Sequence, residues 1–166
     1  MRISLVPDYI FDTFDMASAD FLAQNGISGI ILDVDNTLEP YENALPGKVV
    51  VDWIESLKRK GIRAAIVSNN NAKRISKFNE NLNLPAYSNA AKPFKKNVLR
   101  AMEDMGTDTS TTALMGDQIF TDVWAARNAG IRAILVKPIK DLKDPFTKLK
   151  RLFEKGIINK YEKEKK

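Results

Sequence analysis

Two aspartates separated by one residue close an apolar run, in the stretch Ile31-Leu32-Asp33-Val34-Asp35-Asn36-Thr37-Leu38. On an extended backbone Asp33 and Asp35 would lie on one face, about 6.6 Å apart. Repulsion at that distance costs energy unless a cation or strong hydrogen-bond donors sit between them. Three further stretches carry reactive groups: VSNN with Ser68 and Asn69, AKPF with Lys92, and MGDQIFTD with Asp117 and Asp122. Each has a plain structural reading. The Asp-x-Asp pair can be a solvated turn, Ser68 and Asn69 a helix cap, Lys92 a surface lysine and Gly116-Asp117 a turn. Their joint placement, each just after a β-rich run, favours one site fed by several strand ends.

Composition narrows the chemistry. The chain has 166 residues, 44% hydrophobic and 28% charged, which suits one soluble domain around one core. It contains no cysteine, so disulfides, thiolate zinc sites and a cysteine nucleophile are excluded. It contains no histidine, which removes a Ser-His-Asp triad, histidine metal ligands and an imidazole base. Acid–base work at neutral pH must then rest mainly on carboxylates, lysine or tyrosine. A metal site must be built from oxygen, which points to magnesium, calcium or manganese. No apolar segment approaches the roughly 20 residues needed to cross a bilayer. The opening MRISLVPDYIFDTFDM has acidic residues where a signal peptide would be apolar, so a cytoplasmic protein is expected. The net charge of +5 lies in the tail: residues 137–166 carry eleven Lys/Arg against five Asp/Glu, and the rest of the chain fifteen against sixteen.

The elements that must position these groups alternate β-rich runs with amphipathic helical stretches, the pattern of a mostly parallel sheet covered on both faces in a three-layer, Rossmann-like α/β sandwich. Strands are expected at 27–34, 62–67, 86–88, 111–115 and 131–136. Helices are expected from Pro46 to Lys60, from the asparagines at 69–71 to about Glu80, from Pro93 to before Gly106, and from about Phe120 to Ala129. Ile10, Phe14, Ala17 and Phe21 read as one helical stripe facing the core, and Trp53 and Trp124 as packing residues. In open sheets of this kind, ligands bind at the carboxyl ends of the strands. That is where Asp33, Asp35, Ser68, Asn69 and Asp117 fall.

The set LDVDNTLEP, VSNN, AKPF and GDQIFTDVWAARNAG resembles the haloacid dehalogenase-like phosphohydrolase superfamily, subfamily IIIA. Within it, the set resembles the YqeG-type group related to phosphatidylglycerophosphatases, from about Pro7 to Ile139. The resemblance implies a nucleophile at Asp33 and a general acid and base at Asp35. It implies phosphate binding by Thr37, Ser68, Asn69 and Lys92. A magnesium ion would be held by Asp33, the backbone carbonyl of Asp35, Asp117 and Asp122. Phosphatidylglycerophosphate is the substrate it suggests.

Spacing bears on the substrate. Asp33 to Ser68 spans 35 residues and Ser68 to Lys92 spans 24, both filled by expected elements, so no cap domain fits over the site. An open site suits a substrate that brings its own bulk, such as a lipid headgroup or a macromolecule. Residues 1–139 are read as the core and 140–166 as a basic amphipathic tail. Phe146, Leu149, Leu152, Phe153 and Ile157 would share one face of that tail, ringed by Lys148, Lys150, Arg151 and Lys155. Such a helix packs on its own domain or lies peripherally on an anionic membrane. Tyr41 follows the first motif within reach of a substrate. The rival readings are a phosphatase acting on a soluble or macromolecular phosphomonoester and a non-catalytic protein meeting RNA through its tail. No DNA contact is expected, and oligomeric state is not legible in the chain.

Overall fold

The computed structural model describes residues 4–140 and 145–165, the latter without the side chains of 145–149 and 151. Six strands form one parallel sheet: β1 (Tyr9–Phe11), β2 (Gly29–Leu32), β3 (Arg63–Val67), β4 (Ala86–Tyr87), β5 (Thr112–Gly116) and β6 (Arg132–Val136), in the order β1-β6-β5-β2-β3-β4. The central strands GIIL and TALMG are buried throughout, as expected where helices cover both faces. Alternate residues divide between two cores. Ile30, Leu32, Ala64, Ile66, Ala113 and Met115 face one, and Ile31, Ala65, Val67 and Leu114 face the other.

The helices complete each layer by their apolar spacing. In α2 (Lys48–Arg59), Val50, Trp53, Ile54 and Leu57 turn to the first core, joined by Ile75 and Phe78 of α3 (Ala72–Asn79) and Leu22 of α1 (Ala19–Gln24). In α4 (Lys96–Met105), Val98, Ala101, Met102 and Met105 turn to the second, with the alanines of α5 (Trp124–Ala129) and, from α6 (Pro145–Glu164), Ile157 and Ile158. From β2 the chain builds outward through β3 and β4, then crosses to β5 on the other side. The crevice between β2 and β5 is therefore a topological switch point, where such sheets bind ligands.

Several expectations need correction. The stripe from Ile10 to Phe21 is not one helix but β1, a 3-10 turn (Phe14–Met16) and α1, because the Ser18 hydroxyl accepts from the Phe21 N–H and starts α1 afresh. Tyr9 and Phe11 instead share one strand face and meet the Phe21 ring edge-on, each 5.1 Å away. α2 begins two residues after Pro46, and α4 three after Pro93. The stretch before α5 is a π-turn (Ile119–Val123) rather than α-helix. Trp53 is buried, its indole N–H donating to the Ala17 carbonyl, but Trp124 is exposed at the start of α5.

The tail is a further case. Phe146, Leu149, Lys148 and Arg151 lie outside the described side chains. Leu152 and Phe153 face solvent at 67% and 62% exposure. The face that packs inward carries Glu154, Ile157, Ile158 and Tyr161, at spacings of three, one and three.

Candidate active site

β2 stays in the ladder as far as Asp33, whose N–H donates to the Met115 carbonyl, and the chain then turns away through Asn36 in a left-handed conformation. The turn is tied by Glu39, a buried carboxylate that accepts from the Gly47 N–H at 2.6 Å and the Asn43 amide at 2.7 Å. Asp33 and Asp35 are thereby sent to different partners. Asp33 Oδ1 accepts from Lys92 Nζ at 2.7 Å, and its Oδ2 lies 3.1 Å from the Thr37 hydroxyl. Asp35 accepts from the Arg74 guanidinium at 3.0 and 3.1 Å and from the Asn70 amide at 2.7 Å. Each carboxylate has its own cation, which relieves the repulsion implicit in their spacing.

β5 delivers the remaining acids. Asp117 follows the strand directly. Asp122 returns to it through the π-turn, where its Oδ2 accepts from the Gln118 N–H at 3.1 Å and its Oδ1 from Lys92 Nζ at 2.6 Å. Gly116 makes this return possible: a Cβ there would lie 2.2 Å from the Asp122 Cγ. Lys92 is aimed inward by two bonds to its own backbone. Its N–H donates to Asn69 Oδ1 at 2.7 Å and its carbonyl accepts from Asn69 Nδ2 at 3.2 Å. Ala91, just before it, is held in a left-handed conformation. Ser68, buried at the end of β3, accepts from the Asn70 N–H and retains its own hydroxyl proton to donate.

Asp33, Asp117 and Asp122 thus converge, with one oxygen from each within 4.8 Å of the others. Asp35 is not in that cluster, and its carboxylate belongs to Arg74 and Asn70. Three buried carboxylates face one buried ammonium. Burial, then the charges of Asp122 and Asp33, push the Asp117 carboxyl up to about 8. Burial raises Asp33 to about 6, with Lys92 opposing and Asp122 and Asp35 adding to the rise. For Lys92, burial favours the neutral amine, but Asp122 and Asp33 outweigh it and hold the ammonium. The Thr37 hydroxyl has one proton and lies 3.1 and 3.2 Å from oxygens of Asp33 and Asp117, so it cannot donate to both. This excess of buried negative charge, all on oxygen, fits a divalent cation.

Sequence reasoning brought Asp33, Thr37, Ser68, Asn69, Lys92, Asp117 and Asp122 to one place. The helix cap read at Ser68 and Asn69 falls instead to Asn71, and the Asn69 side chain orients Lys92. Sequence reasoning missed Arg74, Asn70 and Glu154. Arg74 lies in the first turn of the helix after the second motif, a position that marks it only once the helix is known to start at Ala72.

This fold and site define a hydrolase class. The family of haloacid dehalogenase-like hydrolases matches residues 35–136, and the chain belongs to it as a phosphatase of that superfamily. It is 32% identical over 154 residues to a protein described as probable phosphatase YqeG from Bacillus subtilis, covering 93% of this chain and 90% of that one. A glyceraldehyde 3-phosphate phosphatase from Pyrococcus abyssi is 23% identical over 67% of this chain and 50% of its own. The fold is shared with a putative 3-deoxy-D-manno-octulosonate 8-phosphate phosphatase from Vibrio cholerae, with a TM-score of 0.56 and 14% identity over 78% of this chain and 75% of that chain.

Two outcomes follow from the geometry. Gly116→Ala should leave the fold intact by circular dichroism yet lower phosphatase turnover about a hundredfold, because the methyl displaces Asp122. Asp117 and Asp33 are raised above the ordinary carboxylate value of 3.8, so the folded state binds protons that the unfolded chain releases. Without divalent cation, the thermal midpoint should therefore fall as pH rises from about 4 to about 8. Millimolar magnesium should remove much of that fall, and Asp117→Asn should flatten it.

Proposed function

We propose that this site hydrolyses phosphomonoesters through an aspartyl-phosphate on Asp33. The single observation that carries the reading is the setting of Asp33: a buried carboxylate at the switch point, held by Lys92 and Thr37 beside Asp117 and Asp122. An Asp33 oxygen attacks phosphorus, the bond to the leaving oxygen breaks, and Asp35 gives that oxygen its proton. Water then attacks the phosphorus and passes a proton back to Asp35. The bond to Asp33 breaks, and inorganic phosphate and the free carboxylate are restored. Arg74 and Asn70 hold Asp35 in place for both transfers.

Lys92, the Ser68 hydroxyl, Asn69 and Thr37 are assigned to the phosphoryl oxygens and to the loop that meets them. The cation is assigned as magnesium, held by Asp33, Asp117 and Asp122 with the Asp35 backbone carbonyl. When bound it supplies positive charge to the transferring phosphoryl group. The chemistry of the donor set supports that choice, since every candidate ligand is a hard oxygen.

The substrate we favour is phosphatidylglycerophosphate, hydrolysed to phosphatidylglycerol at the inner face of the membrane. Two features support a lipid. Residues 34–92 fold into a loop, α2, β3, α3 and β4 with no inserted cap among them. Exposed Phe94, Trp124, Leu152 and Phe153 stand on segments adjoining Lys92, Asp122 and the π-turn, with Lys95, Lys96 and Lys155 exposed among them. No helix among the described residues is long and apolar enough to cross a membrane, so contact would be peripheral.

A second reading, a soluble phosphomonoester, draws on a cavity of about 380 Å³ between β1, β6 and α6 that reaches Asp117. Its walls set Asp12, Glu154 and Glu162 against a single lysine, Lys137, itself paired with Asp12, which suits a leaving group bearing hydroxyls rather than anions.

Asp33→Asn should abolish magnesium-dependent phosphate release from an aryl phosphate while the thermal midpoint is kept or raised. Turnover surviving in that variant removes the nucleophile assignment. Among substrates, phosphatidylglycerophosphate in mixed vesicles should be hydrolysed at least about tenfold more efficiently, by kcat/KM, than neutral sugar phosphates. The reverse ranking selects the soluble substrate.

A further inference from the structure

We propose that Glu154 of α6 is a positioning residue for Asp117 and Asp122, so that the C-terminal helix is a working part of the site. The inference rests on the reading of the acidic cluster as the holder of a divalent cation. Between the two aspartates the chain makes its π-turn, whose opening N–H groups have no partner inside the turn. The Gln118 N–H is taken by Asp122 itself, and the buried Ile119 N–H donates to Glu154 Oε1 at 3.3 Å. One helical turn earlier on α6, Lys150 Nζ donates to the Gln118 side-chain oxygen at 2.5 Å. α6 therefore grips both residues that start the return from Asp117 to Asp122.

Packing alone would not produce this arrangement. Glu154 is 7% exposed, whereas its neighbours Leu152 and Phe153 face solvent. The inward face of α6 does pack Ile157 and Ile158 on the core, yet it keeps a glutamate beside them and leaves a leucine and a phenylalanine outside. Here a carboxylate is buried instead, in the same cavity that Asp117 lines, although the cluster beside it is already acidic. That costs free energy unless the carboxylate makes specific bonds. The bond to the Ile119 N–H is such a bond, and it fixes the peptide two residues from Asp117 and three from Asp122. Loosening it lets the two carboxylates drift apart, which weakens the cation site, while Lys92 stays held by Asp33 and by the Asn69 side chain and Ser68 keeps its place at the end of β3. Groups that orient metal-binding side chains in this way commonly change metal affinity 10- to 100-fold when removed.

The test is calorimetric titration of magnesium chloride into the full chain, comparing wild type with Glu154→Leu, Glu154→Gln and Lys150→Ala. Glu154→Leu should bind magnesium at least about tenfold more weakly. Glu154→Gln, whose amide oxygen still accepts the N–H, should stay within about threefold. KM for an aryl phosphate at saturating magnesium should be unchanged in both. Should Glu154→Leu fail to fold by circular dichroism, Lys150→Ala carries the test, with a weakening of about two- to fivefold expected and unchanged affinity overturning the proposal. Equal affinities in wild type and Glu154→Leu overturn it, and so does Glu154→Gln falling as far as Glu154→Leu. A wild-type chain that takes up no magnesium sinks both this inference and the cation reading. Uptake by wild type with indifferent variants sinks this inference alone.

Discussion

Three carboxylates taken out of water around a single ammonium are the constraint on which the rest of this structure depends. Asp33, Asp117 and Asp122 are each less than a tenth exposed, and Lys92 is buried among them. Isolated charges cannot be buried this way, and one cation does not balance three anions. The fold serves that imbalance. Parallel strands bring the ends of β2 and β5 side by side, glycine at 116 lets a side chain close on the backbone, and an asparagine clamps the lysine from behind. The hydrophobic layers hold this arrangement against its own repulsion, because both strands are packed on two faces.

The two aspartates of the first motif share a loop and little else. Asp33 is sealed among buried groups, while the Asp35 side chain is 22% exposed and rests on a guanidinium. That guanidinium is itself ordered, lying 5.4 Å from the Phe78 ring centre and donating to the Ala44 carbonyl. Two carboxylates with different surroundings can perform different tasks, as acid–base catalysis by paired carboxylates requires. The separation is achieved by the backbone: β2 ends, the chain bends through Asn36, and neighbouring side chains are sent to opposite partners.

Much of this was legible before any coordinates. Apolar runs bounded by glycine and asparagine marked five of the six strands, because buried parallel strands are continuous in composition. β1 escaped because it has only three residues, half-buried, and its Ile10 falls at helical spacing from Phe14, Ala17 and Phe21. The acidic cluster was legible because Asp33 and Asp117 close β2 and β5, which are neighbours in the sheet, and Asp122 follows five residues after the second. Arg74 and Glu154 were not, since a charged residue on an amphipathic helix reads as solvated until the packing shows it turned inward. The tail shows the limit of pattern alone: Leu152 and Phe153 matched an apolar stripe, yet the face turned inward carries Glu154, Ile157 and Ile158.

The order of strands has a bearing on how the chain acquires its shape during synthesis. β2 lies between β3 and β5, and β5 follows it in the chain by about eighty residues. Until residues 112–116 emerge from the ribosome, one edge of β2 has no ladder to join, and the Thr37 hydroxyl has no Asp117 to meet. A nascent chain thus carries an open, apolar strand edge while about eighty further residues are made, with the charged loop at its carboxyl end to discourage pairing with a neighbour.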